Sequence, residues 1–412
     1  MKNKGKIFVW TLFDFANTSF SIVVVTVIYA VYFKKTVAGG DPIGDFYWSL
    51  ATSISMIIVA FIAPVLGAIA DHSAGKKRFL LFFTLLCILS TALLYNIGPG
   101  AIFWGIFIFV LANIGFEAGL VFYDAFLPEI TVPKNYGRVS GYGFGMGYLG
   151  SLATLAIAYP FIDRGMVTTT FLLSAVFFLL FAIPLFIFLK DNRKQKVKRE
   201  SYIKIGFSRV YNTLLHLKHY KNLATFLLAY FFYIEGVNTV IFFSGNYAST
   251  TIGLSDSEVL VFFLTVQTTA ILGSIIFGII ADSTGQKKTI IITLFLWILT
   301  VAIAFIVKEK SAFYVVGLLA GSVMGATQST SRSLMTKLTP EDKKTEFFGF
   351  YSFFGKSSAV LGPLVFGIVS YLTNQRNAIL SITVFFVIGL IILIKVQDEK
   401  VIENKSIETI PS

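Results

Sequence analysis

Charged residues and cysteine are scarce in this chain of 412 residues. Asp, Glu, Lys and Arg together make up 14% of the positions, whereas 56% are hydrophobic and the mean hydropathy is +0.78. This composition excludes an ordinary soluble domain, whose surface carries far more charge. The single cysteine, Cys87, cannot form an internal disulfide and lies within an apolar run, where we expect it to be core filler.

Residues and motifs of enzymes are missing as well. The three histidines, His72, His216 and His219, fall in polar segments, which excludes a histidine proton relay inside a membrane. The chain has no Walker loop, nucleophile elbow or spaced set of metal ligands, so we expect neither an enzyme nor a cofactor or metal. The glycine-rich stretch at 141–150 is better interpreted as a close-packing helix than as a nucleotide loop.

Apolar runs long enough to cross a bilayer recur along the chain. Six precede a polar break, near 7–33, 46–70, 79–97, 101–124, 140–162 and 168–189. Six follow it, near 222–244, 258–281, 289–307, 312–336, 346–372 and 377–396. The sequence therefore predicts an all-α membrane protein with twelve transmembrane helices and an uncleaved first helix.

Basic residues predict the orientation. With the N-terminus inside, 26 of the 34 Lys and Arg residues fall on the cytoplasmic side, as short loops require. The net charge of +12 thus reflects topology, and we expect no nucleic-acid binding. We expect a multi-pass protein of the cell membrane with both termini in the cytoplasm.

An internal repeat divides the chain. GAIADHSAGKKR at 67–78 and GIIADSTGQKK at 278–288 are 211 residues apart, and Pro128 of LPE at 127–129 and Pro340 of LTPE at 338–341 are 212 apart. Parallel repeats of this kind build transporters with a central site between two halves. We predict a first half at 1–189, a linker at 190–221, a second half at 222–396 and a polar tail at 397–412.

Each half opens with a polar motif in an apolar helix. Asp14, Asn17 and Thr18 match Glu235, Asn238 and Thr239 in spacing, and the three side chains of each motif share one helix face. An ionisable group at bilayer depth costs at least about 2.5–3.5 kcal/mol and therefore normally faces a cavity or a partner. We predict that Asp14, Glu235 and Lys356 converge on a cavity between the halves.

Further polar side chains lie in predicted helices. Glu117, Arg332, Gln328 and Tyr148 join the candidate solute or coupling-ion site, with Tyr148 and Lys356 at matched positions of the repeat. For Asp124, and as an alternative for Glu117, we expect a helix-end residue that extends to the interface. If protons drive transport, we expect Asp14, Glu117 or Glu235 to carry them; coupling to sodium and transport without a coupling ion are the alternatives.

The repeated loop resembles the helix 2–3 signature of the major facilitator superfamily, with one extra residue in the first copy. The resemblance implies a twelve-helix fold in two six-helix bundles and cytoplasmic gating loops. In these loops Gly67 packs on helix 11 and Asp71 faces a helix N-terminus and the Lys76–Arg78 run. The implied gating residues are Gly67, Asp71, Lys76, Lys77 and Arg78, with Gly278, Asp282, Gly285, Lys287 and Lys288 in the second half.

Within that superfamily, WTLFDFANTSF, VFYDAFLPEI, FLLAYFFYIEGVNTVI and SRSLMTKLTPEDKKTEFFGFYSFFGK resemble the autophagy-related vacuolar effluxer branch. The resemblance implies movement of amino acids such as leucine, isoleucine and tyrosine. A zwitterion would suit Lys356 or Arg332 for its carboxylate and Asp14 or Glu235 for its amine, with Asn17, Asn238, Tyr148 and Gln328 as neutral partners. We expect a monomeric transporter of a small solute; a lipid flippase or channel, or a receptor on the same scaffold, are the alternatives.

The linker contains an amphipathic pattern. After a basic run, Ile203, Phe207, Val210, Leu214 and Leu217 recur at helical spacing with basic residues between them. This pattern predicts a helix on the cytoplasmic face, against anionic lipid, with a tether as the plainer role.

Overall fold

The computed structural model describes residues 3–40, 43–191, 202–358 and 361–397. Within these ranges the chain is helical and contains no strand. The predicted tail at 397–412, apart from Gln397, and the linker residues 192–201 lie outside the described residues.

Twelve helices in the described residues are long and apolar enough to cross a membrane, as predicted. In chain order they are α1 (Lys4–Val37), α2 (Ile43–His72), α3 (Lys76–Asn96), α4 (Ile102–Ile130), α5 (Pro133–Asp163), α6 (Thr169–Phe188), α7 (Lys218–Thr251), α8 (Ser257–Thr284), α9 (Gln286–Ile306), α10 (Lys310–Leu338), α11 (Glu341–Leu372) and α12 (Gln375–Ile394). Helix suits each run because lipid offers the backbone no hydrogen-bond partner.

Four of these spans are interrupted, among them α12, which comprises Gln375–Ser381 and Thr383–Ile394. In α1 the regular helix Lys4–Phe20 continues through π turns, α4 is regular over Ile102–Asp124, and α11 comprises Lys344–Ser358 and Leu361–Leu372. The spans differ from the predicted runs by at most seven residues at either end. The extra turns contain polar residues that apolar periodicity does not detect, such as those of Tyr247–Thr251.

The linker contains a helix at Tyr202–Leu215, here called the linker helix, which packs on α2. We refer to α1–α6 and α7–α12 as the first and second halves. The start of α1 at Lys4, Gly75 and Gly285 lie at one end of the bundle, which we call the basic end.

The two repeated loops end at glycines of similar backbone conformation despite their different lengths. Gly75 follows Asp71 by four residues, whereas Gly285 follows Asp282 by three. Ala70–Ala74 forms a π turn, which accommodates an extra residue, so Gly75 (φ 75°, ψ 136°) and Gly285 (φ 97°, ψ 139°) adopt similar conformations. This conformation is essentially restricted to glycine.

Glycines also let the halves touch at the basic end. A methyl group on Gly278 of α8 would lie 2.6 Å from the carbonyl oxygen of Gly137 in α5, and one on Gly67 of α2 would overlap the carbonyl of Thr345 in α11. The two half-to-half seams, α5 with α8 and α2 with α11, therefore have their backbones in direct contact there.

We expect Gly278→Val to lower the thermal unfolding midpoint in detergent, because overpacking against a backbone typically costs about 1–3 kcal/mol. The matched control is Gly367→Val in α11, since no atom lies within 4 Å of a Cβ placed there. Equal midpoints for the two variants would contradict the close seam.

Candidate functional site

Arg332 of α10 crosses from the second half into the first. Its Nη1 lies 3.3 Å from Oδ2 of Asp14 in α1 and 3.0 Å from Oδ1 of Asp124 in α4. Its Nε donates to the Ser140 hydroxyl of α5 at 3.0 Å, and Nη2 donates to the Ser140 carbonyl at 2.9 Å. One guanidinium thus ties three helices of the opposite half together, which a planar group with five donors can do and an ammonium cannot.

Aromatic rings enclose this cluster. The guanidinium carbon lies 4.8 Å from the ring centroid of Trp10 and 4.2 Å from that of Phe144, and only 3% of the Arg332 side chain is exposed. Trp10 and Tyr123 stack at 4.6 Å, and each donates a side-chain hydrogen bond to the other's carbonyl. The rings exclude water from the ion pairs, which strengthens the attraction between the charges.

Asp124 corrects an expectation. We expected it to reach the interface as a helix-end residue, but its side chain turns inward onto Arg332. The sequence contained a usable signal, because Glu117 and Asp124 are seven residues apart on one helix and therefore share a face.

A second ion pair crosses between the halves closer to the middle of the bundle. Nζ of Lys356 in α11 lies 2.6 Å from Oε2 of Glu117 in α4, with 26% and 7% of the two side chains exposed. The helix-end alternative for Glu117 is therefore wrong. Asp14, Glu235 and Lys356 each bind a different partner, and in the described residues no hydrogen bond or ion pair joins any two of them, so their convergence on one cavity stays a prediction.

Glu235 instead lies inside the second half. One carboxylate oxygen accepts from the Gly362 N–H of α11 and from the Thr239 hydroxyl at 3.3 Å. The other oxygen is buried with no hydrogen-bond partner among the described residues, and the side chain is fully buried. Among the described residues, Glu235 therefore has no paired cation.

The two polar motifs have diverged in their contacts. In the first half Nδ2 of Asn17 lies 3.5 Å from Oδ1 of Asp14, and the Thr18 hydroxyl donates to the Gly147 carbonyl of α5 at 2.8 Å. In the second half Asn238 is half-buried and makes no hydrogen bond to a described residue.

Two neutral side chains also connect the halves. The Tyr148 hydroxyl of α5 donates to Oε1 of Gln328 in α10 at 2.6 Å. Both are half-buried, so the contact lies beside the Arg332 cluster without being sealed inside it.

The repeated loops cap helices of the opposite half. Asp71 accepts the N–H groups of Thr345 and Glu346 at 3.1 and 2.9 Å, at the start of α11. Asp282 accepts the N–H groups of Gly137 and Arg138 at 2.7 and 3.2 Å, at the start of α5, and pairs with Nε of Arg138 at 2.6 Å. A carboxylate at a helix N-terminus contributes about 0.3–1 kcal/mol.

The basic residues of the loops bind within their own half. Lys76 is buried, and its Nζ lies 2.5 Å from Oε1 of Glu129 instead of forming an ion pair with Asp71. Nζ of Lys77 donates to the Leu189 carbonyl at 2.7 Å. Lys287 donates to the Ile394 carbonyl at 2.9 Å. Arg78 and Lys288 are exposed. A gating role for these residues stays a prediction.

Cross-half contacts are confined to part of the bundle. In the described residues, every hydrogen bond and ion pair between the halves lies at the basic end or near the middle. At the opposite end, contacts stay within one half, as in Lys34 with Asp45 at 2.6 Å and Thr251 with Gln375 at 2.6 Å. The basic end is closed, whereas no such bond holds the opposite ends of the halves together.

A cavity of about 420 Å³ lies at that opposite end, lined by Thr250, Thr251, Asn374, Gln375 and Arg376. It contains none of the predicted site residues.

Solved structures share this architecture. The human organic anion transporter MFSD10 matches with a TM-score of 0.74 at 15% identity, over 94% of this chain and 98% of that one. The proton:xylose symporter XylE also matches with a TM-score of 0.74, at 14% identity over 95% of each chain. The fold is that of major facilitator superfamily transporters, and the described residues contain twelve helices long and apolar enough to cross a membrane.

The sequence comparisons place the chain more narrowly. Residues 47–406 match the family described as vacuole effluxer Atg22 like, and the chain belongs to this family. An uncharacterized MFS-type transporter of Bacillus subtilis, YxiO, is 33% identical over 406 residues, covering 95% of this chain and 94% of that protein. Autophagy-related protein 22 of Yarrowia lipolytica is 22% identical, covering 84% and 74%.

We expect Arg332→Met to lower the thermal unfolding midpoint strongly, because removing one partner of a buried ion pair costs about 3–5 kcal/mol. Adding Asp14→Asn and Asp124→Asn to that variant removes the uncompensated charges and restores part of the loss. The control is Lys310→Met, whose pair with Glu258 is exposed and contributes about 0–1 kcal/mol. Equal midpoints for Arg332→Met and Lys310→Met would contradict the cluster's role.

Proposed function

We propose that this protein exports neutral amino acids across the cell membrane by alternating access, with proton coupling. The observation that carries the proposal is the cross-half pair between Lys356 and Glu117, which offers both charges that a zwitterion needs. We place the basic end and both termini in the cytoplasm because most Lys and Arg residues lie there. The protein works as a monomer.

Lys356, in its pair with Glu117, is better placed than Arg332 to bind a solute carboxylate. All three nitrogens of Arg332 have protein partners and its side chain is almost fully buried. Lys356 has one ionic partner and retains solvent exposure. A solute carboxylate therefore takes Lys356 and its ammonium group takes Glu117, which replaces one ion pair by two and leaves no charge unpaired.

Substrate binding at this pair favours separation of the halves. Lys356 belongs to α11 and Glu117 to α4, so a zwitterion between them replaces a direct link between halves by an indirect one. Tyr148 and Gln328 form a neutral hydrogen bond between the halves. An amide, hydroxyl or carboxylate oxygen of the solute replaces one partner in this bond. The caps from Asp71 and Asp282 are individually weak and can be broken and remade in a transport cycle.

Proton coupling is assigned to Glu235. An ionised carboxylate with an unpartnered oxygen at this depth would be very costly, so Glu235 carries a proton in this conformation. The nearby cations do not compensate it, since Arg332 and Lys356 are paired with first-half carboxylates. Release of that proton accompanies rearrangement of α7 against α11, the helix whose Gly362 N–H it binds.

The direction, export, is proposed from the family's description alone, because both directions of transport use the same opening. The family is described as that of a vacuole effluxer, and movement out of the cytoplasm or into it requires that the closed basic end open. The ion cluster and the two helix caps hold that end closed here.

We expect Lys356→Met and Glu117→Gln each to lower leucine counterflow in proteoliposomes by at least about tenfold, since truncating one partner of a buried pair costs about 2–5 kcal/mol. The control is again Lys310→Met. Parental rates in both variants would rule out this pair as the solute site. Binding without flux in the parent would support a receptor, and movement of labelled lipid would support a flippase.

We expect Glu235→Gln, which imitates the protonated form, to abolish transport driven by a pH gradient while leaving leucine counterflow near the parental rate. Counterflow needs only the loaded carrier, whereas gradient-driven transport needs proton release. Glu258→Gln is the control, because Glu258 is an exposed member of a surface pair. Gradient-driven transport at the parental rate in Glu235→Gln would contradict the assignment and favour sodium or no coupling.

A further inference from the structure

The linker helix has two unlike faces. One face exposes four large side chains, each 46–63% accessible: Phe207, Tyr211, Leu214 and Leu215. These positions lie within about 100° of one another on the helix. Large side chains grouped in this way on one face need a nonpolar partner.

The opposite face joins the two halves. Gly206 lies against Val65 and Ile69 of α2 in the first half. Thr213 is buried and its hydroxyl donates to Glu346 of α11 in the second half. The linker helix therefore bridges the α2–α11 seam.

Glu346 connects this bridge to the closed basic end. Its backbone N–H donates to Asp71 at 2.9 Å, and its fully buried carboxylate is held by Thr213, with Arg209 of the linker helix at 3.7 Å. Lys343 lies 3.8 Å from the same carboxylate and donates to the Thr213 hydroxyl at 2.7 Å. Displacing the linker helix would leave Glu346 without two of these partners, beside the cap that closes the seam.

The exposed face of the linker helix adjoins a lipid-facing surface. Ile57 and Phe61 of α2 are 57% and 70% exposed within a membrane span, and they precede the residues against which Gly206 packs. Lys204 is exposed on the linker helix, and the sequence just before it contains Arg193, Lys194, Lys196, Lys198 and Arg199. Apolar residues combined with basic ones suit the surface of an anionic leaflet.

We propose that the linker helix is a clamp seated in the membrane surface, and that anionic lipid stabilises the closed basic end through it. The large exposed side chains enter the leaflet, and Lys204 of the same helix binds lipid headgroups. The helix is thereby held against α2 while Thr213 and Arg209 hold Glu346. This proposal concerns the conformational equilibrium and does not depend on the identity of the solute.

The test measures the closed state directly, without solute. Spin labels go at Lys134→Cys and Lys288→Cys, exposed positions at the basic end on opposite halves, in a Cys87→Ser background. Distances are compared between vesicles of phosphatidylcholine alone and vesicles that also contain phosphatidylglycerol. Two double variants are tested: Tyr211→Ser with Leu215→Ser removes apolar area, and Thr213→Val with Arg209→Gln disconnects Glu346.

We expect phosphatidylglycerol to raise the ratio of short to long distances, by up to about fivefold for a basic residue that is engaged in the closed conformation only. Both double variants lose this response, whereas Asn212→Ser, an exposed change on the same helix, retains it. Helical content and monodispersity must match the parent in each case. An equal ratio in the two vesicle types, or a full response in both double variants, would overturn the proposal.

Discussion

A charge inside a bilayer has to be paired, and the ion pairs of Arg332 and Lys356 with described residues join the two halves. Asp14 and Asp124 of the first half are compensated by Arg332 of the second, and Glu117 by Lys356. Neither half can bury its own charges alone, because each would be left with unpaired ions of one sign. The same constraint that assembles the bundle therefore also makes its central contacts sensitive to a charged solute.

The ion pairs and the helix caps differ in strength and place. The Arg332 cluster is sealed by Trp10 and Phe144, whereas the caps from Asp71 and Asp282 lie at the seams of the basic end, where each contributes about 0.3–1 kcal/mol. Glycines bring the backbones of the seams into contact, so short-range packing adds to these weak bonds. The closed basic end is thus held by many weak contacts around one strong ion cluster. Such an arrangement suits an end that must open again during transport.

The sequence predicted the spans, the repeat and the residues that carry charge into the membrane. Hydropathy identifies the segments that can lie in lipid, and the few ionisable residues within those segments are easily recognised. The ion-pair partners of these residues were harder to predict. Asp124 was expected at the interface, Glu117 had no assigned partner, and Lys356 was expected near Asp14 and Glu235. Pairing depends on how far two helices slide and rotate against each other, which periodicity within one helix does not encode. The π turn before Gly75 shows the same limit, because its extra residue left the loop geometry undefined until the backbone was known.

The most direct measurement is calorimetric binding of three matched compounds to the purified protein: leucine, leucinamide without the carboxylate, and 4-methylpentanoate without the amine. The account predicts that leucine binds and that each analogue binds at least about tenfold more weakly, since each leaves one member of the Lys356 and Glu117 pair without a charged partner. Binding of either analogue as tightly as leucine would contradict a zwitterion site at this pair.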